Sequence, residues 1–158
     1  MIETVAETDL PELLPLMRAY CDFYEVAPAD AALLEMSRAL IADPERTGIQ
    51  LIARDAAGGA IGFATVFWTW QTLEAAPQAV MNDLYVIPEA RGSGIARELI
   101  DECARRADAH GANVLAWQTA HDNHRAQTLY NRTGAVASSW LNYRLRLRPS
   151  SSMDVPET

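Results

Sequence analysis

The sequence holds no apolar run near the roughly 20 residues a membrane-spanning helix needs, so no membrane segment is expected. Its N-terminus, Met1-Ile2-Glu3-Thr4, lacks the basic and apolar regions of a secretory signal, which makes a cytoplasmic location the expectation. Cysteine is scarce: Cys21 and Cys103 stand far apart, form no C-x-x-C pair and point to no metal cluster. Cys103 falls on the apolar stripe of a predicted helix and reads as a small buried hydrophobe. Positive charge is in deficit, with 13 Lys and Arg against 21 Asp and Glu, a net charge of -8. That balance argues against nucleic acid, whose phosphates would be repelled, and suits cationic small molecules or simple solubility. Repeats are absent. Residues 149–158, rich in Ser and Pro and poor in apolar side chains, are expected to be a disordered tail.

What remains is an ordinary globular composition, 49% hydrophobic and 22% charged over 158 residues, enough for one domain over residues 1–148. Met1–Ala6 reads as a short strand. Thr8 or Asp9 can then cap a helix with Pro11 in its first turn and Leu10, Leu13, Leu14 and Met17 at helical spacing. A second helix is predicted over Ala31–Ala42, ended by Asp43-Pro44. Gln50–Arg54 and Ala60–Trp70, parted by Asp55-Ala56-Ala57-Gly58-Gly59, read as an antiparallel hairpin. A strand over Val80–Ile87 follows, stopped by Pro88. Then comes a helix whose Ile95, Leu99, Ile100, Cys103 and Ala107 form one stripe, ended by His110-Gly111. Val114–Gln118 is the next strand and Asn123–Arg132 the last helix. Val136–Trp140 and Tyr143–Leu147 complete the pattern as a final hairpin. Antiparallel hairpins mixed with one βαβ unit indicate an α+β fold.

The chemistry concentrates where the Val80–Ile87 strand runs through Pro88-Glu89-Ala90 into Arg91-Gly92-Ser93-Gly94-Ile95-Ala96 and opens a helix. Glycines let backbone N–H groups approach an anion, and a helix N-terminus adds a favourable dipole, a geometry suited to pyrophosphate. No G-K-[ST] ends the loop, which excludes a P-loop. The G-x-G-x-x-G spacing is missing too, which excludes the dinucleotide fingerprint.

The R-x-x-G-x-A pattern left after these exclusions, with Asn82-Asp83-Leu84-Tyr85-Val86-x-Pro88 before it, resembles the acetyl-CoA loop of the GNAT superfamily of N-acetyltransferases. Trp117-Gln118-Thr119-Ala120-His121-Asp122-Asn123-His124-Arg125-Ala126-Gln127-Thr128-Leu129-Tyr130, followed by Gly134-Ala135, is similar to that family's later strand and N-x-x-A-x-x-L-Y helix. The resemblance covers residues 1–147 and is specific from Val80 to Ala135. It implies a mixed, mostly antiparallel sheet of about six to seven strands flanked by about four helices. It also implies acetyl-CoA as co-substrate with an amine acceptor, no metal, and a possible homodimer paired through the last strands. Backbone amides of Arg91, Gly92, Ser93, Gly94, Ile95 and Ala96 would hold the pyrophosphate, with the Arg91 side chain assisting. Leu84, Tyr85 and Val86 would bond the pantetheine arm, Asn123 would contact the cofactor, and Tyr130 would protonate the leaving thiolate.

Asn123 and Tyr130 stand seven positions apart, so a helix puts them on one face. Alone, Tyr130 would read as a core aromatic. A lysine-like amine has a pKa of about 10.4 and must lose a proton before attack, a task for which Asp83 on the cofactor strand is the candidate. His121 and His124 have a spacing compatible with a metal pair, but no third ligand lies nearby in sequence. They read as surface histidines, with Asp122 as the helix cap. Tyr20-Cys21-Asp22-Phe23-Tyr24-Glu25 and Phe67-Trp68-Thr69-Trp70 with Glu74 combine aromatics and carboxylates, a set that suits a cationic acceptor and reads equally well as core aromatics with solvated acids. The expected activity is direct acetyl transfer to a small cationic amine. The rival readings are a protein or peptide acetyltransferase and a CoA-binding sensor without catalysis.

Overall fold

Alternating apolar residues in the middle third of the chain give strands with two buried faces, and the amphipathic segments on either side supply the helices that cover them. The computed structural model describes residues 1–147, so the tail expected at 149–158 lies outside the described residues. In chain order the elements are β1 (Ile2–Thr4), α1 (Leu10–Phe23), α2 (Asp30–Ala42), β2 (Gly48–Arg54), β3 (Ala60–Gln71), β4 (Ala76–Val86), α3 (Ile95–Ala109), β5 (Val114–Ala116) and α4 (His124–Tyr130). Single 3-10 turns precede α1 and α3. The strands lie in sequence order in one sheet. Neighbours run antiparallel except β4 and β5, which are parallel and enclose α3 in the expected βαβ unit. No helix among the described residues is long and apolar enough to cross a membrane.

Strand alternation sorts the core into two halves. Leu51, Ala53, Ala64, Val66, Ala79, Met81 and Val86 pack under the stripe of α3, namely Leu99, Ile100, Cys103 and Ala107. On the opposite face Ile52, Phe63 and Tyr85 meet Leu10, Leu13, Leu16 and Met17 of α1. Cys103 is fully buried as its sequence position predicted, and burial pushes its thiol up to about 12, so it stays protonated and inert. Arg54, at the end of β2, ties three elements together, bonding Glu3 at 2.9 Å, Asp9 at 2.7 Å and Glu12 at 2.5 Å.

The sheet has five strands, not the six to seven that the resemblance implied. Val136–Trp140 and Tyr143–Leu147 form no strands, and Val136, Trp140, Leu141, Tyr143, Leu145 and Leu147 are exposed. Alternating apolar residues specify a face, but a strand also needs an edge to pair with. The edge on that side of the sheet, β5, is only Val114–Ala116.

One irregularity in β4 governs the site. Thr65 pairs with Asp83 and Val66 with Met81, so Asn82 is the extra residue of a β-bulge. The bulge reverses the alternation. Before it Ala79 and Met81 face α3; after it Leu84 and Val86 do, and Asp83 and Tyr85 turn towards α1. Across from this stretch, Gly62 lets β3 lie close: a Cβ there would stand 2.7 Å from the Tyr85 carbonyl oxygen and 3.2 Å from Val86 Cγ2. Gly62→Ala is therefore expected to lower stability by about 1–3 kcal/mol, read as a reduced urea midpoint at unchanged slope. Glu102 on α3 is held at about 2 by Arg105 first and Arg106 second. Its folded value lies below the ordinary 4.5, so its contribution is complete above that pH and is lost as pH falls towards 2. Solvent screening limits the contribution to about 1 kcal/mol or less. Acid titration of Glu102→Gln should show a correspondingly shallower loss of stability in that window.

Candidate active site

β4 and β5 share only Gln78–Val80 and Val114–Ala116, after which β4 runs on alone to Val86. The parting of the two strands opens a groove of about 780 Å³. Its floor is β4, and one wall is formed by Trp117–Thr119 with α4. The loop entering α3 closes one end, and Tyr20, Phe23 and Tyr24 of the α1 segment close the other.

The Ile87 N–H donates to the Ile61 carbonyl at 3.0 Å, so in antiparallel alternation Tyr85 and Asp83 also turn their backbone groups to β3. Leu84 and Val86 turn theirs to the groove. The Val86 carbonyl accepts from Arg91 Nε at 2.9 Å, and the guanidinium lies 5.7 Å from the centre of the Tyr85 ring. Arg91 is thus a strut between loop and floor. Gly92 and Gly94 have φ of +87° and +99°. A Cβ at Gly92 would meet nothing within 4 Å, and one at Gly94 would meet only Glu98 Oε1 at 4.0 Å, so the loop faces open space. The N–H groups of Gly92, Ser93, Gly94, Ile95 and Ala96 donate to no other group among the described residues. They are a run of unpaired donors at the start of α3, with Gly92, Gly94 and Ala96 lining the groove, a match for a pyrophosphate. Arg97, Arg125 and Arg132 line the same groove in a chain of net charge -8. The sequence reading missed these three, because an isolated arginine on a helix reads as surface solvation until the fold brings several together.

Asn123 and Tyr130 both line the α4 wall, as their spacing predicted. The cap of α4 is Asn123, whose Oδ1 accepts the Ala126 N–H at 3.1 Å, and not Asp122. Asp122 lies one residue too early to reach the first free N–H groups of a helix that starts at His124. Tyr130 packs edge-on to Trp117 at 5.4 Å. Burial, with the Tyr24 phenol adding, pushes the Tyr130 hydroxyl above its ordinary value, so it holds its proton at neutral pH. His121 and His124 are exposed.

Asp83 is half-buried beside the groove rather than in its wall, on the α1 face of β4, and accepts from Asn82 Nδ2 at 3.0 Å. Over it lies Tyr20, edge-on to Tyr24 at 5.1 Å, Phe63 at 5.9 Å and Tyr85 at 6.4 Å. Burial, and then the Asp83 carboxylate, pushes the Tyr20 hydroxyl well above its ordinary value. The second aromatic cluster expected from the sequence is elsewhere. Phe67, Trp68 and Trp70 pair with Val80, Ala79 and Pro77 at the other end of β4. Trp68 stacks on His110 at 4.2 Å and donates to the Pro44 carbonyl at 2.7 Å.

Residues 13–135 match the acetyltransferase (GNAT) family. The uncharacterized N-acetyltransferase YhfO of Bacillus subtilis is 29% identical over 133 residues, covering 84% of this chain and 87% of that protein. The D-amino-acid N-acetyltransferase HPA3 of Saccharomyces cerevisiae is 43% identical over 75 residues, 48% of this chain and 47% of that protein. Among solved structures, AAC(6')-Iy in complex with the bisubstrate analog CoA-S-monomethyl-acetylneamine superposes with a TM-score of 0.77 at 25% identity, covering 92% of this chain and 97% of that one. The donor-lined loop, the parted strands and these likenesses agree, and the chain belongs to the GNAT family of acetyltransferases, enzymes that use acetyl-CoA to acylate amines.

Proposed function

We propose that this N-acetyltransferase moves the acetyl group of acetyl-CoA to a small cationic primary amine by direct attack, with Tyr130 as general acid and Asp83 as general base. The observation that carries the proposal is the groove itself. It joins the open donors of Gly92–Ala96, the free edge of β4 and the protonated Tyr130 in one continuous space.

Acetyl-CoA supplies a thioester carbonyl already activated for transfer. The five free N–H groups and the arginines around them fit its pyrophosphate end. Leu84 and the Val86 N–H, its carbonyl already taken by Arg91, offer backbone groups to the pantetheine amides as a strand edge takes an added strand. An N–H on the same edge suits the developing negative charge on the carbonyl oxygen. Tyr130 gives its proton to the thiolate sulfur as the carbon–sulfur bond breaks, while the new carbon–nitrogen bond forms. Asp83 takes the proton the ammonium must lose, directly or through water. Tyr20, Phe23 and Tyr24 line the adjoining end of the groove, and Tyr20 lies against that carboxylate, a combination that favours a cation. Holding both substrates aligned in one groove accounts for much of the acceleration.

Tyr130→Phe is expected to lower kcat about 100-fold, measured as CoA release, while calorimetry finds acetyl-CoA affinity unchanged. Unaltered turnover in this variant would remove Tyr130 from the mechanism. Across polyamines, amino acids, aminoglycosides and lysyl peptides, turnover should concentrate on a small amine carrying additional positive charge. Acetylation of neutral amines or alcohols alone would overturn the cationic acceptor. Turnover confined to lysyl peptides would identify a protein acetyltransferase, and tight acetyl-CoA binding without any turnover would indicate a sensor.

A further inference from the structure

Beneath α1 the sheet carries polar side chains where packing alone favours apolar ones. Gln50 on β2 is 2% exposed and Thr65 on β3 is fully buried, on the same face as Ile52 and Phe63. Gln50 Nε2 donates to Thr65 Oγ1 at 3.2 Å and approaches Met17 Sδ at 3.7 Å, which Ser37 Oγ of α2 also reaches at 3.7 Å. Gln50 Oε1 is the one buried side-chain polar atom without a partner among the described residues. Burying an amide and a hydroxyl under an apolar helix is unfavourable unless the groups are hydrogen-bonded, and Gln50 Oε1 is not, so the row invites a functional reading.

The row points to Asp83. Gln50 pairs with Thr65 across β2 and β3, and Thr65 pairs with Asp83 across β3 and β4. The Asn82 bulge is what turns Asp83 onto this face. Thr65 Oγ1 already accepts from Gln50, so its own hydrogen is left to give, and Asp83 is its cross-strand neighbour. The Tyr20 hydroxyl bonds the carboxylate from α1, and Asn82 Nδ2 donates to Oδ1 from the side at 3.0 Å.

We propose that Thr65 and Gln50 are positioning residues, a buried polar row that fixes the orientation of the Asp83 carboxylate towards the acceptor. The proposal rests on Asp83 being the general base. Thr65 carries the orienting hydroxyl, and Gln50 keeps that hydroxyl turned by occupying its lone pair. Neither touches the substrate, so their effect passes through Asp83.

A double-mutant cycle tests this. Asp83→Asn should lower kcat about 100-fold. Thr65→Val keeps the side-chain shape and should lower kcat about tenfold, with acetyl-CoA affinity and acceptor KM unchanged, whereas Thr65→Ser retains most of the activity. In the Asp83→Asn background, Thr65→Val should cost less than about twofold, because the group it positions is gone. Gln50→Leu should act in the same direction and serves as the second probe if Thr65→Val does not fold. Equal losses in both backgrounds would make the row a packing feature and overturn the proposal. So would wild-type kcat in Thr65→Val and Gln50→Leu while Asp83→Asn is impaired, leaving the base assignment intact. Full activity in Asp83→Asn would overturn both the base and its positioning.

Discussion

Strand β4 is asked to satisfy two neighbours that diverge. Along Ala76–Val86 its antiparallel partner β3 stays beside it, while its parallel partner β5 remains only for Gln78–Val80. Backbone N–H and C=O groups in a sheet demand partners, and an unpaired edge is normally covered or shortened. Here the edge is left open, with Leu84 and Val86 pointing their backbone groups into a groove. The edge borders the open groove rather than another strand. The loop before α3, α4 and the aromatic residues at the end of α1 all border that same groove.

The bulge at Asn82 gives the same strand a second task. A regular strand would show one set of side chains to α3 and the other to α1 throughout its length. Adding one residue lets Met81 pack under α3 while Asp83, two positions later, faces α1 and its tyrosines. One strand thereby presents amide groups along its edge and a carboxylate on its face within a few residues. Gly62 keeps β3 close enough to hold that arrangement, since any side chain there would press on the Tyr85 carbonyl.

Much of this was legible in the chain because the decisive signals are local. Arg91–Ala96 is a contiguous loop, and Asn123 and Tyr130 are related by helical periodicity alone. The βαβ unit followed from a strand, an amphipathic stripe and another strand in order. The bulge was not legible, because it is a property of the register between β3 and β4 and leaves no mark in either segment. The final hairpin misled for a related reason: alternation along Tyr143–Leu147 describes a side-chain face without naming an edge to receive it. Trp68 and Trp70 misled because aromatic composition carries no information on which end of a strand lies near the site. Gln50 and Thr65 were read as ordinary strand residues, and only their burial reveals that they are polar groups in the core.

The arginines around the groove have a chemical consequence of their own. The sequence contains no lysine; all 13 of its basic Lys and Arg positions are arginine. A guanidinium keeps its charge throughout the physiological range, so it attracts phosphates without ever offering a free amine. A lysine at Arg97, Arg125 or Arg132 would place a nucleophile of the acceptor's own kind within the groove. With arginine there, these three positions of the groove carry charge without a side-chain amine that a thioester could acylate.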